Sequence, residues 1–439
     1  MKIPMRFALL FAAVVGLVRA ANPPPPNVVV IVSDDHRADA LGHLGHPDLK
    51  TPHLDALARR SVVFRHAYVS GADRSSVCTP ARTQLHSGRG LFRWSQQRPA
   101  ETDPAGYALG RAFRAAGYAT LRTGKGVNVP SPLNAEFERN IEGSSIPLET
   151  HLANALPFIR EHAGRRPFLL VVEPRVPHSP YPSADRFRAL YAPDKIALPA
   201  EFRSQHPFLR AEADEAAEAQ KKKGRAPKES AGPWTEARAR DALAQYYASI
   251  SFLDDGVGQI VAALAETKVD ANTIVAFLGD NGYSLGHHGR FAKSDVYENG
   301  GLHIPLLITG PGIAPRESRA FVHMIDVFPT LCRLAGFAPP ARVDGLSLAP
   351  ILRGEREHVR DVAFTHFRDE QFALRDQRWK LIRYPSHGRV EFFDLQSDPR
   401  ELRDLSADPA HAARIADFTA RIEREKAAVG YVWPIPASP

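Results

Sequence analysis

The run Asn27-Val-Val-Val-Ile-Val32 constrains this chain more than any other feature. Five consecutive β-branched residues leave the strand no polar side, so both of its faces must be covered. A mostly parallel sheet with helices above and below it meets that demand. Ser33-Asp34-Asp35 ends the run, and further strands are read at Tyr118 to Thr123, Pro167 to Glu173, Thr273 to Gly279 and His303 to Thr309. Helical patterns lie between several of them, at Thr51 to Arg60, near Tyr107 to Ala116, and most clearly at Ala242 to Ala265. Strands alternating with helices predict an α/β domain.

The pattern changes from about Leu346. Trp379 to Tyr384 and Val390 to Leu395 read as alternating strands around the turn Pro385-Ser-His-Gly388, and a helix follows near Ala410 to Ala428. The chain therefore divides into a large α/β domain over 21–345 and a small C-terminal α+β subdomain with an antiparallel sheet over 346–439. Residues 201–236, rich in Ala, Glu, Lys and Arg, read as a charged surface insertion. Residues 1–20 have the form of a cleavable signal peptide: Lys2 and Arg6, then apolar Phe7 to Val18, then Val18-Arg19-Ala20. They predict a periplasmic or secreted protein. The apolar stretch is too short to span a bilayer, so no stable membrane anchor is expected.

Lys and Arg number 56 against 49 Asp and Glu, a net charge of +7 on 439 residues. The one dense basic run, Lys221 to Lys223, stands beside acidic residues and outside any nucleic-acid-binding motif, so no nucleic-acid partner is expected. Only Cys78 and Cys332 are present, which allows at most one bridge. Cys332 falls in a helical pattern and reads as a buried apolar side chain.

Two polar pairs stand directly after buried strands. Asp34 and Asp35 follow the first, and Asp280 and Asn281 follow another in Leu278-Gly-Asp-Asn-Gly282. In a parallel sheet such ends converge on one crevice. Three carboxylates and an amide oxygen make a hard oxygen set suited to Ca²⁺ or Mg²⁺. His287 and His288 lack a third ligand at zinc spacing and read as loop structure.

Between the two pairs lies Cys78-Thr-Pro80-Ala-Arg82, continuing as Thr83-Gln-Leu-His-Ser-Gly88-Arg89. This stretch resembles the C-x-P-x-R signature of the type I, formylglycine-dependent sulfatases. Thr51-Pro-His-Leu-Asp-Ala-Leu-Ala58, His323-Met-Ile-Asp-Val-Phe-Pro-Thr330 and Phe393-Asp-Leu-Gln-Ser-Asp-Pro399 are similar to other segments of that family, so the resemblance spans nearly the whole mature chain. It implies an alkaline-phosphatase-like fold. It also implies that Cys78 is oxidised to Cα-formylglycine by a formylglycine-generating maturation enzyme that reads Pro80 and Arg82. A hydrated aldehyde carries two hydroxyls on one carbon, one to attack sulfur and one to expel sulfate as the carbonyl re-forms.

The resemblance assigns further roles. Calcium would be held by Asp34, Asp35, Asp280, Asn281 and the modified Cys78. Lys125, in Thr123-Gly-Lys-Gly126, would contact the aldehyde-derived group and the sulfate. His178, in Pro174-Arg-Val-Pro-His-Ser-Pro180, would bind sulfate and protonate the leaving oxygen. Lys293 would contact sulfate and the leaving oxygen. Asn128 stands near where the family usually has histidine; its amide can donate a hydrogen bond but cannot carry a proton. The region Ser70 to Cys78 with Gly90 to Arg93 is most similar to bacterial carbohydrate sulfatases, which implies a sulfated sugar substrate. Arg175, His366 and Arg368 are candidates for sugar contact. Two other readings remain, a phosphate or phosphonate monoester hydrolase of the same superfamily and a non-catalytic relative that binds sulfated glycan.

Overall fold

The computed structural model describes residues 24–73, 77–94, 104–129, 131–143, 145–209 and 234–433. The signal segment, Lys221 to Lys223 and most of the charged stretch 201–236 lie outside these residues.

The first ten strands are β1 (Asn27–Ser33), β2 (Val62–Tyr68), β3 (Gly71–Ala72), β4 (Ala119–Gly124), β5 (Arg139–Glu142), β6 (Phe168–Glu173), β7 (Thr273–Gly279), β8 (His303–Ile304), β9 (Leu306–Thr309) and β10 (Arg316–His323). All but β3 join one large sheet in the order β10-β2-β9-β7-β1-β6-β4-β5, with β8 attached to β2. β1 lies parallel between β6 and β7 at its centre. Its side chains alternate between two cores, as the absence of a polar face demands. Val28, Val30 and Val32 enter one, and Val29 and Ile31 enter the other.

Helices cover both faces. α1 (Pro52–Ala58), α3 (Leu148–His162) and α4 (Glu236–Glu266) pack on one face through Leu54, Leu152, Phe158, Leu253 and Val257. α2 (Cys78–Ser87) and α5 (Val327–Leu334) pack on the other through Leu85, Phe328 and Leu331. α4 is long and apolar enough to cross a membrane. Its second half packs on the sheet through Leu253, Val257 and Ile260, and its first half packs Leu243, Tyr246 and Ile250 against Leu49, Phe187 and Tyr191. Asp254, within α4, accepts the backbone N–H groups of His53 and Leu54 and so caps the start of α1.

The run His303 to Thr309, expected as one strand, is two. Proline at 305 has no N–H to donate, so β8 and β9 separate there. β9 also runs antiparallel to both β7 and β2, which makes the sheet mixed.

The second sheet comprises β11 (Ala363–Phe367), β12 (Gln371–Arg375), β13 (Trp379–Tyr384) and β14 (Arg389–Asp394). These pair antiparallel in sequence, with α6 (Ala412–Ala428) packed on them through Phe418 and Ile422. Its outer strand is β3, which pairs parallel with β11 and comes from just before Cys78. Gly71 is required there, because a Cβ would stand 2.4 Å from the His366 carbonyl oxygen.

One further expectation changes. The start of the 201–236 stretch is not surface, since Glu201 and His206 are buried. Glu201 accepts a hydrogen bond from Asn299 (2.9 Å), and Trp234 stacks on Phe291 with ring centroids 4.4 Å apart. Cys78 and Cys332 form no bridge, for each is a free, buried thiol.

Candidate active site

The topology brings the polar residues at several strand ends together. Asp34 and Asp35 follow β1, Asp280 and Asn281 follow β7, Lys125 follows β4, and Glu173 is the last residue of β6. Against them lies the first turn of α2, where Cys78 and Arg82 are four residues apart and share a face.

Cys78 Sγ is 3.4 Å from Asp34 Oδ1 and 3.7 Å from Asp35 Oδ1. Lys293 Nζ donates to Cys78 Sγ (2.9 Å) and Asp35 Oδ1 (2.6 Å). Lys125 Nζ is ion-paired with Asp34 Oδ2. Arg82 is fully buried and lies among three carboxylates: its Nε donates to Asp280 Oδ2 (2.8 Å), and its other nitrogens lie 3.7 Å from Asp34 and 3.6 Å from Glu173.

Asp35 holds a left-handed backbone (φ 64°), which is uncommon outside glycine. Neighbours pin it: its N–H donates to Asp280 Oδ1 (3.0 Å), and its carbonyl accepts from the Tyr246 hydroxyl (2.7 Å). Two site carboxylates are thereby set relative to each other by the backbone.

These neighbours set the charges. Burial pushes the Asp34 carboxyl up and Asp35 adds to that, but Arg82, Lys125 and Lys293 outweigh both and hold it below the ordinary carboxylate range. Burial and then Asp34 leave Asp280 above that range despite Arg82. Burial would strip the proton from Lys293, yet Asp35, Cys78, Asp34 and Asp280 keep it charged well beyond neutral pH. Burial and then Asp280 push the Cys78 thiol well up, so the unaltered side chain is a neutral thiol and a weak nucleophile.

The donor set suits a hard cation. Ligand atoms of Asp34, Asp35, Cys78 and Asp280 lie within 4.8 Å of one another, all from buried residues. Asn281 donates its amide hydrogens to Asp35 Oδ1 and to the Gly282 carbonyl, both at 2.7 Å. Its Oδ1 and Asp35 Oδ2 are buried and accept no hydrogen bond from the described residues. Leaving a buried acceptor without a donor costs about 1–3 kcal/mol, which a bound Ca²⁺ or Mg²⁺ would relieve.

His178 is about a quarter exposed, with Nε2 3.7 Å from Asp35 Oδ2. Nδ1 faces the Ser179 carbonyl at 2.6 Å. A carbonyl only accepts, so Nδ1 carries the hydrogen and Nε2 is the nitrogen turned to the site. Asn128 is buried in the short turn after Lys125 and, among the described residues, makes no side-chain hydrogen bond. Of the sugar-contact candidates, Arg175 donates to the Ser179 carbonyl (2.9 Å) beside His178. Arg368 pairs with Glu370 at 2.7 Å. His366 is not available to a substrate: it is 2% exposed, stacked on Phe92 and edge-on to Tyr431. His287 and His288 are both buried, the first facing Glu201 at 4.0 Å and the second stacked on Tyr297.

Sequence reasoning missed the layer behind Arg82. Glu173 Oε2 accepts from Arg122 Nε (2.7 Å), and Glu173 Oε1 lies 3.1 Å from His86 Nε2. Arg122 in turn donates to the Lys125 carbonyl (2.9 Å). One carboxylate thus supports both Arg82 and the backbone that carries Lys125. Glu173 ends a buried strand, the same signal that singled out Asp34 and Asp280.

Comparison with known proteins agrees with this architecture. The sulfatase family model matches residues 26–337, and a model described as N-sulphoglucosamine sulphohydrolase, C-terminal, matches 286–428. The chain is 28% identical to a choline-sulfatase of Rhizobium meliloti (strain 1021) over 435 residues, covering 85% of this chain and 80% of that one. It superposes on a protein solved with its substrate D-glucosamine-2-N,6-O-disulfate, with TM-score 0.75 and 19% identity, covering 94% of this chain and 99% of the other. It also superposes on the phosphonate monoester hydrolase of Agrobacterium radiobacter, with TM-score 0.74 and 24% identity, over 92% and 96% of the two chains. With the sulfatase model matched over most of its length, the chain belongs to the sulfatase family and is a sulfuric ester hydrolase of the alkaline-phosphatase-like fold.

Proposed function

We propose that this protein is exported and hydrolyses an O-sulfate ester of a sulfated carbohydrate, with Cys78 converted to formylglycine and Ca²⁺ held by Asp34, Asp35, Asp280 and Asn281. The observation that carries the reading is the seat of Cys78. It is a thiol too protonated to attack by itself, placed against two carboxylates and Lys293, with Lys125 paired to one of those carboxylates. A formylglycine at this position supplies, when hydrated, a hydroxyl to attack sulfur and a second hydroxyl whose loss of a proton releases sulfate. A cation held by these residues would supply positive charge to the anionic ester.

The chain's own groups do the rest. Arg82, fixed on Asp280, holds the first turn of α2 against the carboxylates. Lys125 and Lys293 bring two positive charges to an anionic ester. His178 turns Nε2 to the site, and with Nδ1–H held by the Ser179 carbonyl a proton taken up at Nε2 would be the one passed to the leaving oxygen. Asn128 offers an uncharged donor beside Lys125. The sugar reading is supported by the protein of the same fold solved with a sulfated glucosamine. The likeness to a phosphonate monoester hydrolase favours the second reading, in which a phosphate or phosphonate ester is cleaved. The retained Arg82, Lys125, His178 and Lys293 argue against a merely binding relative.

The test is sulfate release from a panel of sulfated mono- and disaccharides. The protein is produced together with a formylglycine-generating enzyme, with Cys78→Ala as control. Release by the wild type alone supports the reading. Turnover of matched phosphonate esters, with sulfated sugars untouched, moves the assignment to the second.

A further inference from the structure

A second large recess lies away from the catalytic residues. It is a cleft of about 1490 Å³ between the edge strand β10 of the large sheet and the β12–β13 turn of the second sheet. None of the catalytic or metal-site residues lines it. Eight arginines line it against four carboxylates, a net excess of four positive charges.

Part of that excess is offset from outside the lining, by Asp326 and Asp394, and part is left without a partner. Arg375 at the floor is buried and held by Glu298, and Arg360 and Arg378 are paired with Asp326 and Asp394. Arg319, Arg356 and Arg400 are exposed, and their guanidinium groups make no ion pair or hydrogen bond with the described residues. They come from three separate stretches of chain. Gathering unpaired cations around one concavity is unfavourable in the empty cleft and favourable once an anion enters it. The planar guanidinium fork matches sulfate and carboxylate groups.

The size and the remaining lining narrow the ligand. The volume exceeds the roughly 300–1,000 Å³ of a small-ligand pocket, so a chain fits it better than a single anion. Among the described residues no Phe, Tyr or Trp lines the cleft, so they offer no stacking platform of the kind single-stranded nucleic-acid binders use. Asn299, Gln377 and Gln396, with Glu317 and Glu357, stand among the arginines instead. Amides and carboxylates suit hydroxyl groups, whereas a uniformly anionic phosphodiester backbone would be repelled by the latter. A ligand alternating anionic groups with hydroxyls fits this mixture.

We infer that the cleft is a second binding site for a sulfated oligosaccharide chain, separate from the site of ester hydrolysis. The inference takes its ligand class from the sulfated-sugar reading above. It concerns binding, so it can fail or survive independently of that reading.

The experiment measures binding of a heparin-derived hexasaccharide by calorimetry, in a Cys78→Ala background so that nothing is consumed. Arg319→Glu, Arg356→Glu and Arg400→Glu are combined in one variant. Affinity is expected to fall about tenfold or more. The same three changes in the formylglycine-bearing enzyme should leave Tm and turnover of a small aryl sulfate at wild-type values. Unchanged hexasaccharide affinity overturns the inference, as does loss of binding on Lys125→Ala alone, which would put the chain in the catalytic site. Equal affinity for a single-stranded oligonucleotide of matched charge overturns the glycan assignment. Hexasaccharide binding lost with the three arginines, in a protein that releases no sulfate from any sugar, upholds the cleft and defeats the sulfated-sugar reading of the catalytic site.

Discussion

Glu173→Gln tests whether the buried layer behind Arg82 holds the catalytic face in place. The substitution preserves shape and removes one charge. Glu173 faces Arg122 at 2.7 Å, His86 at 3.1 Å and Arg82 at 3.6 Å, and all four side chains are shielded from solvent. Breaking a buried pair by removing one partner costs about 3–5 kcal/mol. Both arginines keep other acceptors, Arg122 at Asn140 and the Lys125 carbonyl, and Arg82 at Asp280, so the lower end, about 3 kcal/mol, applies. With an unfolding entropy of ~2.1 cal/mol/K per residue over roughly four hundred residues, that lowers Tm by about 3–4 °C in scanning calorimetry. Burial pushes Glu173 up, but Arg122, His86 and Arg82 hold it far below its ordinary 4.5. Its contribution is therefore present above pH 4.5 and is lost as pH falls below it, so the variant should differ less from wild type in acid. Turnover should fall about tenfold or more, because Arg82 and the Lys125 backbone lose a common support. A Tm within 1 °C of wild type together with full turnover would refute the argument, and Glu173→Asp should recover part of both.

Further outcomes follow from the same geometry. Burial holds the His366 imidazole down at about 4 against an ordinary 6.5. The stability this gives is complete above pH 6.5 and is lost as pH falls toward 4, at ~1.4 kcal/mol per pH unit. His366→Phe should flatten the Tm–pH curve over that window by one proton, and an unchanged slope would count against it. Dialysis against a chelator should lower Tm and abolish sulfate release, with Ca²⁺ restoring both; a concentration a hundredfold above Kd stabilises by about 2.7 kcal/mol. Asp280→Asn should lose the Ca²⁺-dependent part of Tm. His178→Ala should slow cleavage of an alkyl sulfate about 10²–10⁴-fold and an aryl sulfate with an acidic phenol much less, since only the poor leaving group needs a proton. Equal losses on both esters would remove the proton-donor role.

The parts of the molecule legible in the sequence are those whose signal is local. β1, β4, β6 and β7 announce themselves because strands covered on both faces carry apolar runs. Asp34, Asp35, Asp280 and Asn281 are legible because each pair directly follows such a run. Arg122 and Glu173 were missed for a physical reason. Each is the only charged residue in its strand, and the partnership that makes them useful joins positions 51 apart in the chain. The two-residue strand β3 carries no periodicity to read, and its partner lies beyond residue 360. The burial of Glu201 and His206 was hidden by the charged composition of the segment that follows them.

The pairing of β3 with β11 bears on the order of events during synthesis. Cys78 is 2% exposed, Pro80 and Arg82 are buried with it, and the strand directly upstream is held by β11, which begins at residue 363. A ribosome releases Cys78 long before it makes the strand that fastens this region. An enzyme that must grasp Cys78 to Arg82 as an extended peptide can do so only during that interval or from an unfolded chain. On the proposed formylglycine reading, folding and oxidation of the thiol would compete in time, and a chain that folds first would seal in an unaltered cysteine. If so, lowering the level of a co-produced formylglycine-generating enzyme should yield protein of normal Tm and proportionally lower specific activity.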